Sequence, residues 1–142
     1  MRFASQSEIQ NNGMRQSQAQ LLWGGDSGWV VQREGGMQYG LDVTKCMFSS
    51  GNVTEKARMG ALALAAGETV VDLYAGIGYY TVPLLARANA AFVYACEWNP
   101  DAVHALRHNL KVRPVSTVSS LASPRPQRQQ CCSYPRALVE ST

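Results

Sequence analysis

The sequence predicts an α/β fold in which a β-hairpin precedes two parallel strands, each followed by a helix. Three observations predict it. Two short apolar, β-rich runs, Thr69 to Tyr74 and Ala91 to Glu97, each lead into a stretch with helical spacing, the pattern of parallel strands buried on both faces. Between them Asp72-Leu73-Tyr74-Ala75-Gly76-Ile77-Gly78 carries a strand end into a glycine bend and then a helix. Upstream, strand-like residues flank Glu34-Gly35-Gly36, and paired glycines suit a hairpin turn.

The elements follow in order. Residues 1–26 read as a flexible lead-in: Met1 to Gln20 is polar, Gln/Ser-rich and without periodicity, and Gly24 to Gly28 is turn material, so order is expected to begin near Ser27. Trp29 to Gln32 and Met37 to Val43 are the hairpin strands. Asn52-Val53-Thr54-Glu55 has the spacing of a capping box, in which Asn takes a backbone N–H and Glu reaches back. The helix it starts runs through Val53, Ala57, Ala61, Leu64 and Ala65 to a stop at Gly67. A second helix spans Tyr79 to Ala88, with Pro83 early enough to be tolerated. Asn99-Pro100-Asp101 supplies an N-cap, a proline at the first helical position and an acid near the positive end of the dipole. Val103, Leu106 and Leu110 form the stripe of that third helix. Residues 113–142 hold four of the six prolines and no sustained period, and read as an irregular, basic Ser/Pro-rich tail. The domain is thus expected over residues 27–112.

Composition bounds the function. A chain of 142 residues that is 46% hydrophobic has room for one ordinary core. Cys46, Cys96, Cys131 and Cys132 form no C-x-x-C knuckle and have no histidine at zinc spacing, which predicts reduced thiols and no metal site. No apolar h-region opens the chain and no apolar stretch reaches membrane-spanning length, so the expectation is a soluble, cytoplasmic protein with no membrane partner. The formal charge of +3 is carried by the tail, where Arg113, Arg125, Arg128 and Arg136 face the single acid Glu140. Bulk charge therefore says little about nucleic-acid binding by the domain.

The chemistry lies in the unit from Asp72 to Glu97. Gly76 and Gly78 allow a sharp turn and close approach of a ligand to the backbone, and the following helix points its N–H groups there. Glu97, at the carboxyl end of the second strand, is placed to accept ribose hydroxyls. Together they imply an adenosine-containing cofactor; a G-x-G by itself is as readily a tight strand-to-helix turn. The third glycine of a dinucleotide fingerprint is replaced by Thr81, and Asp72 stands four residues before Gly76. A carboxylate there repels a pyrophosphate and attracts a sulfonium with an amino group, which favours S-adenosylmethionine over a dinucleotide. Tyr79, Tyr80 and Trp98 border the expected pocket, as core or as stacking surfaces. His104 and His108, one turn apart without Glu or Cys partners, read as solvated face residues, and Cys96 as a small buried strand residue.

Three words of this sequence then match a known family. Leu41-Asp42-Val43-Thr44-Lys45-Cys46-Met47-Phe48-Ser49-Ser50-Gly51-Asn52, the D-L-Y-A-G-I-G-Y stretch from Asp72 and A-C-E-W-N-P from Ala95 come in order and at family-like separation. From about Gly28 to Val112 the chain resembles the tRNA wybutosine-synthesising aminocarboxypropyltransferases. The resemblance implies a partial Rossmann-like class I S-adenosylmethionine-dependent transferase fold. It further implies transfer of the 3-amino-3-carboxypropyl group to a modified guanosine beside the anticodon of phenylalanine tRNA. By the same resemblance Ser49 and Lys56 contact the cofactor and Glu97 holds its ribose; Asp72, Gly76 and Gly78 join the expected cofactor-binding set from the reading of the residues above. From the residues alone Ser49 is also a plain loop hydroxyl, and Lys56 also a water-facing residue of a first helical turn, where its charge opposes the dipole.

Nothing in these residues separates propyl from methyl transfer. A related tRNA guanosine N1-methyltransferase remains an alternative, as does an inactive fragment that only binds RNA or a partner. The resemblance is expected to end at Val112, with the family's further strands and its N-terminal region upstream of the hairpin missing. The expectation is a truncated member with an isolated strand pair, an exposed edge, weak or no cofactor binding and no turnover of its own.

Overall fold

A computed structural model describes residues 3–5, 17, 19–111 and 118–122. Its elements are β1 (Phe3–Ser5), β2 (Gln20–Trp23), β3 (Trp29–Glu34), β4 (Met37–Asp42), α1 (Val53–Gly60), β5 (Thr69–Asp72), α2 (Thr81–Ala86), β6 (Phe92–Glu97), α3 (Pro100–Lys111) and β7 (Val118–Ala122). β1 and β2 pair antiparallel, β3 and β4 form the expected hairpin, and β5, β6 and β7 form a parallel sheet in that order.

Alternation in the hairpin sets its inner face. Met37, Tyr39 and Leu41, two residues apart along β4, are buried against Ile77, Val82, Ala102 and Ala105. The turn at Gly35 and Gly36 has φ of 56° and 73°, the left-handed pair that a two-residue hairpin loop requires. In the parallel sheet Val93 and Ala95 are fully buried beneath α2 and α3. The other face is open: Val71 is 48% exposed, Leu73 45% and Tyr74 85%. The expectation of strands buried on both faces is corrected here, because an apolar run does not reveal whether its second face is covered.

Several boundaries differ from the sequence reading. α1 ends at Gly60, not Gly67, where the helix crosses α2 closely enough that a Cβ on Gly60 would sit 3.2 Å from Pro83. Leu62 and Leu64 still reach the core, but as non-helical chain packed on the Leu84 and Leu85 cluster. Asn52 precedes α1 as expected, yet its side chain makes no cap, and the Glu55 carboxylate is held by Arg58 at 2.7 and 2.8 Å instead of reaching back. α2 is shorter than expected, since Tyr79 and Tyr80 belong to the preceding turn. α3 keeps its cap: the Asp101 N–H donates to Asn99 Oδ1 at 3.0 Å.

Two larger corrections concern the ends. Within residues 1–26, β1 and β2 form a short ladder with the Phe3 and Trp23 rings 6.2 Å apart, where only flexible chain was expected. So short and exposed a pair needs no apolar face and leaves no periodic trace. Within 113–142, Val118 to Ala122 extends the sheet beside β6, in register from Val93↔Val118 to Glu97↔Ala122. The strand pair is therefore not isolated; a five-residue run was hidden by the composition of the surrounding tail. The rest of that tail, and residues 6–16, lie outside the described residues. No helix among the described residues is long and apolar enough to cross a membrane.

Candidate functional site

The site grows from the end of β5. After Asp72 the backbone continues the ladder by one bond, the Ala75 N–H donating to the Cys96 carbonyl at 3.0 Å, and then bends. Gly76 and Gly78 stand at φ +57° and +101° on either side of Ile77. Only residues without a Cβ adopt such values readily. A Cβ on Gly78 would meet Leu106 Cδ1 at 2.9 Å, so this glycine also lets α3 pack onto the bend.

Glu97 lies directly across the bend. Its Oε2 accepts the Gly76 N–H at 2.9 Å, and its Oε1 accepts the Trp98 and Asn99 N–H groups at 2.8 Å each. The carboxylate is thus oriented by three backbone donors and remains half-buried at the strand end. Asp72 is buried behind the bend, and Thr81, in place of a third glycine, donates to Asp72 Oδ2 at 2.7 Å. Thr81 is fully buried, so its exchange for glycine has a packing reason in this chain.

Ser49 and Lys56 form a second group, joined to the bend by Tyr79. The Tyr79 hydroxyl donates to the Met47 carbonyl at 2.7 Å and accepts the Ser49 N–H at 2.9 Å. Burial pushes that phenol up out of the ordinary tyrosine range, which keeps it a donor. Tyr79 therefore ties the Cys46 to Ser49 segment to the bend, and is neither a bare core ring nor a free stacking surface. Lys56 is 5% exposed, not water-facing. Its Nζ donates to Glu34 Oε1 at 2.6 Å and to the Ser49 carbonyl at 2.5 Å, with the Phe48 and Tyr79 rings 4.8 and 4.7 Å away. The structure thus brings together Gly76 with Glu97, Asp72 with Thr81, and Ser49 with Lys56.

The remaining candidates separate. Trp98 is exposed, while His104 and His108 lie on the exposed face of α3 with their rings edge-on to Trp29. Cys96 is half-buried, where a buried strand residue was expected. Sequence reasoning missed Glu34 and Asn109. Glu34 gave no signal beyond its place in a hairpin. Asn109 did give one, being a polar residue in phase with the buried Ala102, Ala105 and Leu106 of α3.

Cys46 is buried beside the Asp42 turn and its thiol is pushed up to about 12, by burial first and then by Asp101, Asp42 and Glu97. A higher value means less thiolate, roughly one molecule in ten thousand at about pH 8. Alkylation followed by mass spectrometry is expected to label Cys96 well before Cys46 in the folded protein, with denaturant abolishing the difference. Equal native rates would contradict this burial.

A parallel sheet, a glycine bend and an acid at the end of the next strand define a class I S-adenosylmethionine methyltransferase-like α/β domain. Within that class the chain belongs to the TRM5/TYW2 methyltransferase domain family, whose pattern matches residues 30–125. It is 54% identical over 115 residues to the "tRNA wybutosine-synthesizing protein 2/3/4" of Arabidopsis thaliana, covering 81% of this chain and 11% of that protein. It is 53% identical over 115 residues to the human "tRNA wybutosine-synthesizing protein 2 homolog", covering 81% of this chain and 25% of that one. The crystal structure of M. jannaschii TYW2 in complex with AdoMet superposes with a TM-score of 0.67 at 37% identity, over 74% of this chain and 47% of that chain. The chain thus spans a quarter or less of these two curated relatives.

Proposed function

We propose that this chain is the cofactor-binding part of an S-adenosylmethionine-dependent tRNA-modifying transferase that adds a 3-amino-3-carboxypropyl group. Its acceptor is a modified guanosine, the wybutosine precursor, beside the anticodon of phenylalanine tRNA in the cytoplasm. The observation that supports the reading is the 2.9 Å bond from the Gly76 N–H to Glu97 across the bend, an acid beside the glycines over which a cofactor's sugar would lie.

The residues present fit that group. Glu97 Oε2 takes one backbone N–H and has a second lone pair to offer a ribose hydroxyl. Gly76 and Gly78 hold the backbone open beneath it, and Asp72 adds negative charge behind the bend that suits a cationic ligand. Ser49 lies in the segment between β4 and α1, with Lys56 donating to its carbonyl. Bound there, the cofactor supplies a sulfonium whose three carbons are all electrophilic. The protein decides which one faces the acceptor by orientation, without a nucleophile of its own. The aminocarboxypropyl reading over a methyl one is supported by the names of the two relatives above, both wybutosine-synthesizing proteins.

Photocrosslinking of labelled S-adenosylmethionine to the full chain tests this. Labelling is expected in the wild type and a loss of about tenfold or more in Glu97→Ala, with the fold checked by circular dichroism. Equal labelling of the two proteins would remove Glu97 from the site. On tRNA carrying the precursor nucleoside, the mass gained by the product distinguishes an aminocarboxypropyl group from a methyl.

A further inference from the structure

We infer that Asn109 is a positioning residue for the glycine bend, holding the Ile77 peptide in place and coupling it to the edge of the hairpin. The inference rests on the reading of the bend as a cofactor cradle. Asn109 is 3% exposed in the last turns of α3. Its Nδ2 donates to the Ile77 carbonyl at 2.9 Å and to the Gly40 carbonyl at 3.1 Å, and its Oδ1 accepts the Gly40 N–H at 2.6 Å.

Ile77 lies between Gly76 and Gly78, the two positions of left-handed φ. The peptide that carries the Ile77 carbonyl joins Ile77 to Gly78; its N–H donates to the Ala75 carbonyl at 2.8 Å within the bend, and Asn109 holds its other end from α3. A neutral primary amide is the side chain that offers one acceptor and two donors in a plane, matching the Gly40 peptide and the Ile77 carbonyl together. An aspartate of the same shape has no donor when ionised and would set a charge against two carbonyl oxygens. One buried side chain therefore ties the bend, β4 and α3 together.

The test compares the full chain with Asn109→Asp and Asn109→Ser. Two quantities are read at about pH 5 and about pH 8: affinity for S-adenosylmethionine corrected for the folded fraction, and amide exchange of residues 75–79 without cofactor. His108 beside Gly40, Tyr39 next to Gly40 in the chain and Glu97 bonded to Gly76 are unchanged in all three proteins, so the wild type subtracts their contribution.

Asn109→Asp is expected to bind about tenfold more weakly than wild type at the higher pH and to regain affinity at the lower, where a protonated carboxyl donates again. Asn109→Ser, small enough for water to take the vacated space, is expected to fold and to exchange faster over 75–79 at both pH values. A folded Asn109→Ser with wild-type exchange and affinity would overturn the inference, as would an Asn109→Asp whose affinity relative to wild type ignores pH. If the wild type itself does not bind, the cofactor reading fails and the exchange rates alone decide the role of Asn109.

Discussion

Gly78→Ala is expected to destabilise the protein by about 2–5 kcal/mol. Two costs add. A φ of +101° in a non-glycine residue carries backbone strain of about 1–2 kcal/mol or more. The new methyl would also stand 2.9 Å from Leu106 Cδ1 and 3.1 Å from Val82 Cγ2, overpacking worth about 1–3 kcal/mol. Leu106 is fully buried between α3 and the sheet, so it has nowhere to retreat. Against a total stability of about 5–15 kcal/mol, the substitution removes a large share. Gly51→Ala is the control: no atom lies within 4 Å of its Cβ and its φ is not positive, so about 0.5 kcal/mol or less is expected. Urea midpoints at constant m-value measure both, and a shift for Gly78→Ala as small as that for Gly51→Ala would mean the bend relaxes freely.

The second large effect is at Lys56. Lys56→Met leaves the Glu34 carboxylate, 12% exposed, without its 2.6 Å partner, and breaking one side of a buried pair costs about 3–5 kcal/mol. The Ser49 carbonyl loses its donor in the same step. Removing both charges in Glu34→Leu/Lys56→Met is expected to restore most of the loss, because apolar replacement of a whole buried pair is often close to neutral. A double-mutant cycle by chemical denaturation decides it. Were the single and double variants equally unstable, the aromatic rings around Lys56, not Glu34, would be what the ammonium serves.

The contrast between these sites explains what the sequence made legible. Gly76, Gly78 and Glu97 were readable because a bend between strand and helix demands particular residue types at fixed spacing. The hairpin and the start of α3 were readable for the same local reason, down to the Asn99 cap, whereas α2 starts two residues later than expected and the Asn52 side chain makes no cap. Relations between distant residues were not. Nothing near Lys56 in the chain announces that Glu34 waits 22 residues earlier, or that Tyr79 clasps the Ser49 segment from 30 residues later. The helix expected to reach Gly67 failed for a tertiary reason too: Gly60 is where α1 meets Pro83, and the leucines beyond it serve the core without being helical. β7 shows the opposite failure, a local pattern submerged in a biased composition.

The link between Gly40 and Asn109 spans 69 residues, nearly half the polypeptide. Closing a span of that length costs roughly 4 kcal/mol of chain entropy, so the contact forms late relative to hairpins and helices. During synthesis the hairpin leaves the ribosome long before α3 exists, and the glycine bend emerges without the bond from Asn109 to the Ile77 carbonyl. A nascent chain stalled upstream of Lys111 should then be soft at the bend however well its hairpin has formed.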